Sequence, residues 1–184
     1  MLEHELGRRY KVLSLKDIDP PIGDIEETGE TLEENALIKA RAVYERTKLA
    51  TVADDTGLAV EALNGAPGVY SARYSGEGAT YISNVLKLLD ALEGVEDRRA
   101  RFSTVIAYIE EGGREHLFRG EVSGEIAREP RGANGFGYDP IFIPEGSPKT
   151  FAEMSDEEKN AVSHRGRALR AFTRYLGGTT NFAT

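Results

Sequence analysis

Two adjacent carboxylates, Asp54 and Asp55, follow the apolar run 49–53, and a hydroxyl and a glycine come directly after them as Thr56 and Gly57. Paired acids at the end of a buried strand lie where open α/β sheets bind their ligands. Two carboxylates in one place are unfavourable unless they hold a cation or share a proton. The pair therefore indicates Mg²⁺-dependent chemistry on a phosphate, with a polar turn as the alternative interpretation.

A second acidic segment, Glu26 and Glu27, lies just before a helix that the sequence predicts from Thr31. One of these acids could complete a metal site with Asp55, because Mg²⁺ takes one or two carboxylates together with substrate oxygens and water. Acids near a helix N-terminus also complement the helix dipole, and spacing alone favours that role. Lys39, inside the same predicted helix, has by itself the pattern of an ordinary surface lysine.

The glycine-rich segment 130–139 has the composition of a loop that binds an aromatic base. Its glycines and Asn134 give backbone freedom, Phe136 and Tyr138 offer flat apolar faces, and Asp139 ends the loop before a predicted strand. The alternative is a wide turn whose aromatic rings pack into the core.

A basic segment near the C-terminus contains Lys159, Ser163, His164 and Arg165. Lys159 and Ser163 are four residues apart, so a continuous helix would place them on one face. A cation and a Ser-His-Arg cluster there suit a charged ligand that accepts hydrogen bonds. A solvated helix face is the alternative, and it is the favoured interpretation for the arginines further along.

Composition excludes several classes of protein. The 184 residues predict a single domain spanning 1–184. A net charge of −8 argues against non-specific nucleic-acid binding. The absence of cysteine excludes disulfides and thiolate metal sites. No apolar stretch is long enough to span a membrane and the start lacks a signal-peptide pattern, so we expect a cytoplasmic protein with no nucleic-acid or membrane partner.

The hydrophobic pattern predicts an α/β fold with a mixed β-sheet flanked by helices. Capping boxes mark two helix starts, at Thr31 with Glu34 and at Ser155 with Glu158. The predicted helices run over 31–46, 81–92 and 155–176, and the predicted strands over 10–15, 49–53, 101–110, 116–128 and 141–143. In the second helix we expect the buried side to consist of Ile82, Val85, Leu86 and Leu89.

Five segments in order resemble the inosine/xanthosine triphosphate pyrophosphatases, which remove deaminated purine nucleotides. They are ETGETLEENALIKA, ADDTGLAVEALNGAPGVYSARY, RRARF, PRGANGFGYDPIF and KTFAEMSDEEKNAVSHRGRAL, at 27–40, 53–74, 98–102, 130–142 and 149–169. The resemblance covers nearly the whole chain, from about 10 to 176. It implies an elongated mixed sheet in two lobes with a central nucleotide cleft, and a homodimer. It also implies cleavage of ITP, dITP and XTP between the α and β phosphates.

The same resemblance implies roles for individual residues. Asp55 matches the acid that activates water and helps to hold Mg²⁺, and Glu26 matches the second metal-binding acid, with the adjacent Glu27 as the alternative. The implied substrate contacts are Thr56 and Lys39 on the phosphate and sugar side, Phe136, Gly137, Tyr138 and Asp139 on the base side, and Lys159, His164 and Arg165 for the remainder.

The start of the chain departs from the family pattern. The family opens with a strand and a Thr/Ser-Gly-Asn-x-x-Lys loop that holds the triphosphate, whereas residues 1–4 here correspond to the end of the helix that follows that loop. We therefore expect the strand and loop to be lacking, through a late start codon, trimming or a genuine difference. A catalytically weak nucleotide-binding relative is then the alternative function. A pyrophosphatase for modified pyrimidines is less favoured, because FGYD and SHR resemble the purine-specific family.

Overall fold

The computed structural model describes residues 10–179, so residues 1–4, to which the expected departure at the chain start refers, lie outside the described part. The described helices are α1 (Leu32–Thr47), α2 (Tyr81–Ala91), α3 (Asp156–Val162) and α4 (His164–Thr179). The described strands are β1 (Thr51–Val60), β2 (Pro67–Gly68), β3 (Arg99–Ile109), β4 (Glu115–Ile126) and β5 (Phe142–Pro144). They form one sheet in the order β2-β1-β3-β4-β5. The predicted α/β class is confirmed.

Helix α1 begins and ends where its capping residues dictate. The Thr31 hydroxyl accepts a hydrogen bond from the Glu34 amide at 3.1 Å, and the Glu34 carboxylate accepts one from the Glu30 amide at 2.7 Å. Both bonds satisfy amides that have no partner within the helix. The helix stops at Lys48, whose φ of 57° lies in the left-handed region. The predicted helix is therefore confirmed to within one residue at each end.

The chain divides into two compact units, each with its own core. The first unit comprises the described residues of 1–55, 105–118 and 168–184, and its buried apolar cluster consists of Ile106, Ala168, Leu169, Phe172 and Leu176. The second unit comprises 56–104 and 119–167. Its core is built around the fully buried side chains of Leu58, Leu88, Ile141, Phe142 and Phe151. The single domain expected over 1–184 stays a prediction.

The first predicted strand and the predicted buried side of the second helix are wrong. Residues 10–14 form no strand, and a short 3-10 turn follows at Leu15–Asp17. Helix α2 buries Val85 and Leu88, whereas Ile82 is 73% and Leu86 57% exposed. The buried side consists of Asn84, Val85 and Leu88, so it is rotated away from the side that carries Ile82 and Leu86. No helix among residues 10–179 is long and apolar enough to cross a membrane.

Strands β4 and β5 pair antiparallel, with Gly124 opposite Pro144. A Cβ atom added at Gly124 would lie 2.2 Å from the Ile143 carbonyl oxygen, which is a backbone atom. The two strands must therefore separate to accept any side chain at this position.

We expect Gly124→Ala to lower the free energy of unfolding by about 1–3 kcal/mol, as overpacking typically does. Urea unfolding followed by circular dichroism measures the change. Gly112→Ala is the matched control, because an added Cβ there meets nothing within 4 Å. Equal unfolding midpoints for the two variants would contradict the close approach of β4 and β5.

Candidate functional site

The two adjacent carboxylates lie inside β1 and point to opposite faces of it. Strand β1 spans Thr51–Val60, so Asp54 and Asp55 do not follow the end of a strand as predicted. Successive side chains of a strand alternate between its faces. Asp54 is exposed and Asp55 is only 8% exposed. The prediction of a shared carboxylate pair is therefore wrong, and Asp55 alone enters the interior.

Asp55 belongs to a cluster of charged side chains in the first unit, here called the acidic cluster: Glu27, Lys39 and Asp55. The Lys39 ammonium lies 2.8 Å from Oδ1 of Asp55 and 2.8 Å from Oε1 of Glu27. Lys39 is thus no ordinary surface lysine, since α1 directs it between two carboxylates. The neighbouring Glu26 is exposed, so the structure brings Glu27, rather than Glu26, to Asp55 through Lys39.

Burial and pairing act against each other in this cluster. Burial raises the pKa of the Asp55 carboxyl above its ordinary value, and the hydrogen bond from Lys39 only partly offsets the effect. Burial by itself would lower the pKa of Lys39, but its hydrogen bonds to Asp55 and Glu27 outweigh burial and raise the pKa. Lys39 therefore stays protonated and compensates two acids at once.

The acidic cluster fits a divalent cation. Oδ2 of Asp55 is buried and has no hydrogen-bond partner among the described residues, and a buried carboxylate oxygen is costly without one. No group of three or more metal-ligating side chains occurs within residues 10–179. Two carboxylates nevertheless suffice for Mg²⁺, which completes its shell with water and substrate phosphates. Glu27 and Asp55 are the residues that would hold it.

Thr56, predicted beside the phosphates, lies in the second unit. Its hydroxyl lies 2.7 Å from the hydroxyl of Thr104, and either oxygen can donate this hydrogen bond. The bond joins β1 to β3, so it orients a hydroxyl that also keeps acceptor capacity for a further ligand.

A second cluster, here called the aromatic–basic cluster, consists of Phe136, Asp139, Lys159 and Arg165 in the second unit. The Phe136 ring is 47% exposed, with the Lys159 ammonium 4.8 Å and the Arg165 guanidinium 5.2 Å from its centroid. Lys159 also forms an ion pair with the buried carboxylate of Asp139. The structure thus brings together four residues that the sequence predicted from two separate segments.

The loop that presents Phe136 is shaped by Asp139. Oδ2 of Asp139 accepts a hydrogen bond from the Phe136 amide at 2.8 Å. Gly135 has a φ of 75° and an added Cβ would lie 2.0 Å from that same oxygen, so only glycine fits there. Gly137 also has a positive φ, of 60°. The glycines therefore allow the backbone to close around one carboxylate.

Tyr138 does not share the exposed position of Phe136. It is 5% exposed, packs in the second unit's core, and donates a hydrogen bond from its hydroxyl to the Ser71 carbonyl at 2.8 Å. The expected stacking of Tyr138 on a base is therefore not supported, because its ring is already packed against protein. Tyr81, which no sequence signal singled out, is instead the aromatic neighbour of Phe136, with ring centroids 6.3 Å apart.

Ser163 and His164 are buried at the junction of α3 and α4. Ser163 ends α3 in an extended conformation, and its hydroxyl accepts a hydrogen bond from the Gly166 amide at 3.1 Å. The continuous helix predicted over 155–176 is therefore wrong, since Ser163 ends α3 and caps the next helix. His164 stacks on Phe102 with centroids 4.5 Å apart, and its Nδ1 has no hydrogen-bond partner among the described residues.

The chain matches a protein-family model described as the Ham1 family over residues 1–175. It is 56% identical over 155 residues to a dITP/XTP pyrophosphatase of Thermoanaerobacter sp. (strain X514), covering 83% of this chain and 78% of that protein. It is 49% identical over 176 residues to a dITP/XTP pyrophosphatase of Porphyromonas gingivalis, covering 95% and 90%.

Solved structures of similar sequence have the same fold. The Staphylococcus aureus Ham1 protein superposes with a TM-score of 0.90 at 43% identity, covering 97% of this chain and 92% of that one. A Mycobacterium abscessus structure described as nucleoside-triphosphatase / dITP/XTP pyrophosphatase gives a TM-score of 0.79 at 48% identity, covering 93% and 90%.

His164 makes stability depend on pH. Burial, followed by the charges of Arg165 and Lys159, lowers its pKa to about 3. In the unfolded chain the pKa of His164 has its ordinary value of about 6.5. Below that pH the histidine is therefore protonated in the unfolded state and neutral in the folded state. Stability from this residue is complete above pH 6.5 and is lost as the pH falls toward 3.

We expect the free energy of unfolding to fall by about 2 kcal/mol more in the parent chain than in His164→Gln between pH 7.5 and pH 5. Urea unfolding at both pH values measures this difference, and comparison with the variant cancels the other titrating groups. Parallel losses in the two proteins would show that His164 accepts a proton in the folded state.

Proposed function

Because this chain belongs to the Ham1 family, we propose that it hydrolyses non-standard purine nucleoside triphosphates (dITP, ITP and XTP) to the monophosphate and pyrophosphate. The observation that carries the proposal is the acidic cluster, in which a buried Asp55 oxygen beside Glu27 and Lys39 has no hydrogen-bond partner within residues 10–179. This arrangement is suited to a cation and a water. The relatives' names supply the substrate class, and a catalytically weak nucleotide-binding protein is not favoured.

The residues of the acidic cluster have separate roles in the reaction. Asp55 orients the attacking water and accepts its proton, and the rise of its pKa through burial makes the carboxylate a stronger base. Lys39 keeps its charge and stabilises the negative charge that develops on the phosphates. Mg²⁺, held by Glu27 and Asp55, would neutralise phosphate charge and polarise the bond that is cleaved. Thr56 belongs to the second unit rather than to this cluster, and the contact between its hydroxyl and a phosphate oxygen stays a prediction.

Base selection falls to the aromatic–basic cluster and the residues around it. The exposed Phe136 ring stacks on any purine, so it sets affinity more than choice. Hypoxanthine and xanthine carry a 6-keto oxygen where adenine carries an amine. A donor such as Arg165 or His164 pairs with the keto oxygen and is left unpaired opposite the amine, and such mismatches discriminate strongly. Gly137 and Asp139 shape the loop, and Lys159 adds positive charge beside it.

Three further properties belong to the same proposal. We expect Mg²⁺ as the cofactor because two carboxylates and a polyphosphate together match its preference for oxygen ligands. Assembly as a homodimer and location in the cytoplasm follow from the resemblance to pyrophosphatases of the nucleotide pool. Size-exclusion chromatography with light scattering tests the dimer directly.

The first test concerns the catalytic acid. Asp55→Asn should retain the fold and lower kcat for dITP by two or more orders of magnitude, since a positioned proton acceptor is lost. Asp54→Asn is the matched control, because the adjacent carboxylate is exposed on the other face of β1. Pyrophosphate release measures both. If the two variants were equally active, Asp55 would not be the catalytic acid.

The second test separates the two neighbouring acids. Glu27→Gln should raise the Mg²⁺ concentration that gives half-maximal activity about tenfold or more, because a carboxylate ligand is replaced by an amide. Glu26→Gln should leave it near the parental value, since Glu26 is exposed. The reverse pattern would assign the metal to Glu26, as the family resemblance implies.

The third test concerns base choice. Arg165→Ala should narrow the ratio of kcat/KM for ITP over ATP about tenfold or more, because a donor to the keto oxygen is lost. Arg174→Ala, which removes an exposed arginine further along α4, serves as control. An unchanged ratio with a raised KM would place Arg165 on the phosphates instead.

A further inference from the structure

One fully buried polar side chain of the first unit, Asn35, has no role in the chemistry described so far. It lies in the first turns of α1, is 0% exposed, and faces the interior together with small apolar residues. Asparagine is seldom fully buried unless its amide is used. Its position between the Glu27 segment and β1 makes it a candidate for organising the acidic cluster.

The accepting half of the amide fixes the segment that carries Glu27. Oδ1 of Asn35 accepts a hydrogen bond from the Gly29 amide at 2.8 Å. A Cβ atom added at Gly29 would lie 2.7 Å from that oxygen, so the backbone approaches the side chain more closely than any other residue type allows. Glu27 is two residues away, and its distance to Lys39 depends on where this backbone lies.

The donating half of the amide faces the Asp55 carboxyl and acts to lower its pKa. The Gly29 amide identifies the accepting atom as Oδ1, and therefore assigns Nδ2 to the opposite side of the group. Nδ2 of Asn35 and Oδ2 of Asp55 are both buried and lack hydrogen-bond partners among the described residues. A buried donor and a buried acceptor on neighbouring elements are each costly unless a contact or a ligand satisfies them.

We propose that Asn35 is a positioning residue for the metal site, holding the Glu27 segment through Oδ1 and presenting a donor to the Asp55 carboxylate through Nδ2. This inference rests on the proposed function, because it assigns Asn35 to the two carboxylates that would bind the cation. The amide supplies no ligand of its own. It keeps both carboxylates at a fixed separation, in the way that outer residues orient the ligands of other metal sites.

The test measures binding of Mn²⁺ alone to the full chain without nucleotide, by electron paramagnetic resonance of the free ion. Asn35→Leu keeps the number and branching of the side-chain heavy atoms and removes both polar atoms, so the Kd for Mn²⁺ should rise about tenfold or more. Hydrogen exchange of the Gly29 amide should accelerate in the same variant, because its acceptor is gone.

Asn84→Leu is the matched control for a merely structural asparagine. Asn84 is also buried in a helix and bonds loop backbone, through Nδ2 to the Ala72 carbonyl and through Oδ1 to the Ser75 amide. It belongs to the second unit, so its loss should lower stability and leave the Kd for Mn²⁺ unchanged. A parental Kd in Asn35→Leu would overturn the proposal.

A second variant covers the case in which Asn35→Leu fails to fold. Gly29→Ala pushes against the same Oδ1 contact and should also weaken Mn²⁺ binding, whereas Gly23→Ala, whose added Cβ meets nothing within 4 Å, should not. Equal binding by these two variants overturns the proposal as well. If the parent chain binds no Mn²⁺, the proposed metal site itself is wrong. If the parent binds Mn²⁺ and neither Asn35→Leu nor Gly29→Ala changes the Kd, only the positioning role of Asn35 is wrong.

Discussion

The ion pair between Lys39 and Asp55 is the interaction on which the acidic cluster depends. A carboxylate inside a strand loses most of its hydration, and an unpaired buried charge is strongly destabilising. Lys39 approaches Oδ1 of Asp55 to 2.8 Å and Glu27 to the same distance. The Lys39 ammonium therefore connects α1 to the segment that carries Glu27 and to β1. Without it, the carboxylates of Glu27 and Asp55 would repel each other.

Because Lys39 projects from α1, that helix must be held firmly within the first unit. Arg41 forms two hydrogen bonds of 2.7 Å to the carboxylate of Glu115, and the Tyr44 hydroxyl donates to the Glu111 carbonyl at 2.7 Å. Both contacts tie the middle of α1 to the β3–β4 hairpin. The bidentate geometry restricts both the sliding and the rotation of α1 against the hairpin. These contacts therefore fix the direction in which the Lys39 side chain projects from the helix.

Sequence reasoning succeeded where the signal is local and failed where it is tertiary. The start of α1 follows from Thr31 and Glu34, whose capping chemistry needs no distant partner. Side chains alternate between the two faces of a strand, so Asp54 and Asp55 point in opposite directions. This follows only because β1 continues through both acids to Val60, which the sequence did not predict. The two acids interrupt the apolar pattern of β1 in the sequence. The strand tolerates Asp55 in the interior because Lys39, on α1, forms an ion pair with it. The packing of Tyr138 into the core likewise depends on the distant Ser71 carbonyl.

The charges of the acidic cluster also constrain how a polyphosphate can bind. The two carboxylates and the one ammonium of the cluster together carry a net negative charge, which by itself repels an anionic phosphate chain. If Lys39 turned fully toward the phosphates, it would lose its ion pairs with Asp55 and Glu27, and the two carboxylates would repel each other. A cation is therefore needed when a polyphosphate binds, and Oδ2 of Asp55, which has no hydrogen-bond partner within the part of the chain that the structure describes, is suited to bind it. On this reasoning the cation contributes to substrate binding as much as to the cleavage step.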